Sequence, residues 1–103
     1  MKLLEIVPRG DRRLYSGIVK RQAEIPSPPG TFIRAGRRRA GAARWKHVRY
    51  RGSIALRRDA SEMVTVAIKS PDKGDEARLV SAFLGWIDRH FGDQVRTVTI
   101  RYQ

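Results

Sequence analysis

The sequence predicts an α+β domain: an antiparallel sheet of five to six strands, one long helix over about 71–91 packed on one face, and a final strand after it. Three observations carry this reading. Val64, Val66 and Ile68 alternate at period two within Glu62–Lys69. Leu79, Val80, Phe83, Leu84, Ile87 and Phe91 recur at helical spacing. Short apolar runs before and after them are bounded by Gly, Pro and Asp breaks. At 103 residues the chain reads as a single domain, 1–103, able to bury a core without staples.

Taken in order, Lys2–Val7 reads as a strand with Leu4 and Ile6 on one face. Pro8-Arg9-Gly10-Asp11 is a turn signal, because Pro presets φ and Gly accepts positive φ. A short strand over about Leu14–Arg21 would then close a hairpin. Residues 25–30 hold three prolines and read as a proline-rich connector inside the domain. Thr31–Ala35 is a further short strand. Residues 36–43 carry no bulky apolar side chain and read as a flexible basic loop. Arg44–Tyr50 and Ser53–Arg58 read as strands around Arg51-Gly52. A three-residue break at Asp59–Ser61 sets Leu56 opposite Val64 and Ile54 opposite Val66, which keeps four apolar residues on one face. Ser70, Pro71, Asp72, Asp75 and Glu76 mark a helix N-terminus. Gly92 reads as a left-handed stop, and Val95–Tyr102 as the last strand. The helix and the strands at 62–69 and 95–102 are expected to form the core.

Charge is distributed unevenly over this frame. Ile25–Arg58 spans 34 residues with ten Lys or Arg and no Asp or Glu, so +10 of the net +12 sits in one third of the chain. Arg outnumbers Lys 17 to 5 throughout, so part of the richness is general composition, but the local absence of acids is not explained that way. A pI near 11.4 points towards a polyanion. The site predicted here comprises Arg37, Arg38, Arg39, Arg44, Trp45, Lys46, Arg49 and Arg51. Arginines contact phosphates, and an indole offers a stacking surface. The side that Trp45 takes depends on the turn. A three-residue loop of Tyr50, Arg51 and Gly52 pairs Val48 with Ile54 and leaves Trp45, His47, Arg49 and Arg51 exposed. A two-residue turn at Arg51-Gly52 pairs Arg49 with Ile54 and turns Trp45 into the core. The first register is adopted here, with core packing of Trp45 as an equal alternative.

The inventory argues against an enzyme. Two histidines, His47 and His90, fall in different elements, and there is no cysteine, so no metal site or disulfide is expected. No phosphate-loop, dinucleotide or nucleophile-elbow spacing is present, and no cofactor is expected. The start of the chain does not read as a signal peptide, because Glu5 and Pro8 interrupt its apolar run. No stretch approaches the ~18 apolar residues of a membrane span, and no membrane partner is expected. The resulting expectation is a small cytoplasmic protein that binds nucleic acid, DNA or RNA, through phosphate contacts from an Arg-rich loop and hairpin. The alternative is a non-enzymatic interaction module for an acidic protein partner. No aromatic ribonucleoprotein motif, GXXG loop or helix-turn-helix spacing is present.

Overall fold

The computed structural model describes residues 1–10, 13–25, 31–37 and 39–103. Strand β1 (Lys2–Pro8) is followed by helix α1 (Leu14–Glu24), strands β2 (Phe32–Arg34), β3 (Ala42–His47), β4 (Ser53–Arg58) and β5 (Val64–Lys69), helix α2 (Lys73–Phe91) and strand β6 (Val95–Tyr102). The strands form one antiparallel sheet in the order β2-β3-β4-β5-β1-β6. β5 and β6 both run antiparallel to β1, which lies between them, so α2 joins two parallel strands as a split βαβ unit.

Alternation decides the two faces. Leu4 and Ile6, Ala43 and Trp45, Ile54 and Leu56, and Val64, Val66 and Ile68 are buried in one cluster with apolar residues of both helices. α2 contributes Leu79, Phe83, Trp86, Ile87 and Phe91, spaced three and four apart as a single stripe requires. Its first turn is capped by Asp72, whose side chain accepts from the Asp75 amide at 2.9 Å. Glu76 is buried in the same turn and is held by Lys2 and by the N-terminal amine, 3.2 Å away. The hydrogen bond from Lys2, then that from the amine, holds this carboxyl below the usual range. The opposite sheet face carries no helix.

The segment 14–21 is a helix, not the second strand of a hairpin. Buried Leu14, Tyr15, Ile18 and Val19 recur at i, i+1, i+4 and i+5, a helical stripe. Strand alternation would have turned Ser16 and Lys20 inward beside Leu14 and Ile18. β1 also has no free edge for such a partner, because β5 and β6 occupy both. α1 crosses the end of α2 closely at Gly17, where a β-carbon would lie 3.3 Å from the Phe91 ring.

Other expectations shift. β4 and β5 pair Leu56 with Val66 and Ile54 with Ile68, a two-residue slip that preserves the buried face. The extra length is taken up by a turn at Ala60–Glu62 in which Ser61 and Glu62 take left-handed φ of 60° and 62°. Gly92 has right-handed φ and ψ of −55° and −34°, and the chain continues through a 3₁₀ turn, Gly92–Gln94. β6 is an edge strand with Val98 and Ile100 only half-buried, so the centre of the core is β1, β4 and β5 instead. Residues 26–30, most of the proline-rich connector, lie outside the described residues.

Candidate functional site

The uncovered face is built from residues that alternate with the core. Register places Arg44, Ala55, Ala67, Leu3 and Arg101 in one row across β3, β4, β5, β1 and β6. The adjoining row is Ala42, Arg57, Thr65, Glu5 and Thr99. Lys46 lies two residues beyond Arg44 on the same side of β3, and Lys69 two beyond Ala67 on β5. Glu5 on β1 is paired with Arg101 of β6 at 3.3 Å. Between the charged positions, β4, β5 and β1 present Ala55, Ala67, Thr65 and Leu3. These small side chains leave a trough rather than a ridge.

The hairpin between β2 and β3 walls that trough at one end. The amide of Ala35 donates to the Arg44 carbonyl at 2.7 Å, and Arg39 and Ala42 exchange backbone hydrogen bonds of 3.0 and 3.1 Å. Arg58 fastens the tip to β4 by donating its amide to the Gly41 carbonyl at 2.8 Å. Within 36–43, Ala43 is buried beside Trp45, so this segment does contain a core anchor. The result is a concave cleft of about 720 Å³. Five cations of the described residues line it: Arg37, Arg39, Arg44, Lys46 and Arg57. Among the described residues no carboxylate lines it, and none of these five is ion-paired.

Thus four of the eight residues predicted from sequence converge here: Arg37, Arg39, Arg44 and Lys46. Arg38 lies outside the described residues. Arg49 and Arg51 are exposed but sit at the opposite end of β3, in the loop 48–52. The Arg51 amide donates to Asp75 of α2 at 3.1 Å, and the Arg49 amide donates to His47 Nδ1 at 2.9 Å. This loop turns towards α2 and does not line the cleft.

Trp45 is not a stacking surface. It is fully buried, paired with Ile54, and packed against Phe32, Phe83 and Trp86 with ring centroids 5.3–6.1 Å away. Strand β3 ends at His47, and its ladder with β4 closes with Trp45 opposite Ile54, so the connection is longer than the three- or two-residue turn. This register turns Trp45 inward and puts Arg44 and Lys46 outward. Gly52 fits the longer loop. Its φ is +132°, and a β-carbon there would stand 2.2 Å from the Lys69 carbonyl oxygen.

Arg57 is the cleft residue absent from the sequence-derived set. Its signal was present: Ile54 and Leu56 face the core, so Ala55 and Arg57 must face the other way. Neither histidine lines the cleft. His47 Nδ1 accepts from the amides of Arg49 and Tyr50, at 2.9 and 3.2 Å. Burial, then the charge of Arg49, pushes its pKa below the usual histidine range. Among the described residues no three His, Asp or Glu side chains meet as a metal site requires, and no helix is long and apolar enough to cross a membrane. No family model matches the chain, and neither curated proteins nor solved structures gave a match.

Proposed function

We propose that this is a small nucleic-acid-binding protein that holds phosphates in the cleft on its open sheet face. The observation that carries this reading is the convergence, among the described residues, of five cations without an ion pair and with no acid on one concave surface. These charges come from three chain segments, the hairpin tip, β3 and β4. A merely solvated edge would not need them gathered around one hollow. Guanidinium groups suit phosphate because they donate several hydrogen bonds from one plane. No aromatic residue lines the cleft, so binding rests on the backbone of the nucleic acid rather than on base identity. Such a protein belongs in the cytoplasm, where a cysteine-free chain gives up nothing to reducing conditions.

The test is a titration of labelled oligonucleotide at several salt concentrations. With five phosphates engaged, the log–log slope of affinity against salt is expected to be roughly −3.5 to −4.5. Absence of binding to DNA and RNA at low salt would overturn the proposal.

A further inference from the structure

The arrangement of the cleft cations also bears on the form of nucleic acid they suit, an inference that rests on the binding function proposed above. On the open face, Arg57 shares a row with Ala42, Arg44 lies one row further along the strands, and Lys46 one row beyond that. Successive rows on one face of a sheet are about 6.7 Å apart. Lys69 stands outside this file: it pairs with Ser53 from β5, two strands away from Lys46, and does not line the cleft. Arg37 and Arg39 continue the file at its Arg57 end, on the hairpin tip. The charges that line the cleft thus form a single file along β3 and β4, with the hairpin wall at one end.

A duplex presents two phosphate ridges separated by a groove and is a convex rod. It would need two ridges of cations, or an element that enters a groove. The file here is one charge wide and lies in a hollow. The floor beneath it is apolar and shallow: Ala42, Ala55, Ala67 and Leu3. Such a floor can receive the face of an unpaired base or a sugar, surfaces that a duplex hides. A volume of about 720 Å³ is also of the size that accepts small ligands, and hence a few nucleotides of one strand. We infer that the occupant is single-stranded nucleic acid, laid along β3 and β4 with its phosphates on Arg39, Arg57, Arg44 and Lys46 in succession.

The experiment compares fluorescence anisotropy of 12-nucleotide oligo(dT) and oligo(U) with that of a mixed-sequence duplex of equal length, at one low salt concentration. The expected result is at least about tenfold tighter binding of one or both single strands, because the charge file matches one backbone. Arg57→Glu is expected to weaken the single strand by about tenfold or more, and Arg57→Gln by less, while Arg89→Glu on the helix layer leaves it within about twofold. Thermal melting checks that each variant is folded, and the milder Arg57→Gln serves if the charge reversal is not. Equal or tighter binding of the duplex would overturn this inference and leave the nucleic-acid reading standing. Binding of neither form would overturn both. Single-strand binding that is indifferent to both Arg57 substitutions would remove the cleft as its seat.

Discussion

Trp45 shows how one side chain settles the use of a whole surface. Its indole meets Phe32, Phe83 and Trp86, and it has no exposed area. Because side chains alternate along a strand, burying Trp45 forces Arg44 and Lys46 to the far side. The tryptophan therefore serves the cleft by orientation and not by contact. Its indole N–H has no hydrogen-bond partner among the described residues, so the gain is from packing. Trp45→Ala is expected to lower stability by about 3–5 kcal/mol in denaturant titrations. At temperatures where the variant stays folded, its affinity for oligonucleotide should change little. A variant of full stability but lost affinity would mean that the ring touches the ligand. The aromatic was legible in sequence as important. Its side was not, because a three-residue and a two-residue turn both leave a plausible pair opposite Ile54.

The loop 48–52 between β3 and β4 is a small organised element in its own right. His47 accepts from two successive amides, stacks on Tyr50 with centroids 4.5 Å apart, and meets the edge of Phe32. These contacts need Nδ1 unprotonated. Its pKa is lowered on folding, so below about pH 6.5 the unfolded chain takes up a proton before the folded one does. Stability from this group is therefore present above that range and is lost as pH falls towards the folded-state pKa. His90 is shifted the same way by burial and by Arg21 and Arg89, and adds to the same slope. Denaturant midpoints should fall between pH 7 and pH 5. His47→Ala should cost about 1 kcal/mol at pH 7 and flatten part of the slope, the remainder belonging to His90. A slope unchanged in this variant would count against the role of His47. Helix α2 and strand β5 were readable, because their apolar periods are unambiguous. Helix α1 was not, since Ile18 and Val19 favour strands and the run is short; the spacing 14, 15, 18, 19 was the better guide.

Across the whole molecule the sheet separates two tasks. One face is spent on a shared core with both helices, and the other is left to small and charged side chains, its one acid in the register rows, Glu5, being paired with Arg101 away from the cleft. Arg57 was legible only through β4, where alternation with Ile54 and Leu56 turns it to the open face. The cleft itself depends on the β2–β3 hairpin and on alignment of three strands, which no local pattern specifies. The same topology governs how the chain reaches this state. β1 lies between β5 and β6, and Leu4 sits opposite Val66 and Ile100, 62 and 96 positions further along. Contacts so distant in sequence delay assembly, since the intervening chain must be ordered before they form. Refolding in stopped-flow experiments is expected on the millisecond-to-second timescale typical of non-local sheets. Complete refolding within microseconds would contradict this. Until α2 brings β6 into place, one side of β1 is an unsatisfied template. A nascent or partly unfolded chain therefore presents an open edge of a central strand to neighbouring molecules, and that interval is when aggregation competes with folding.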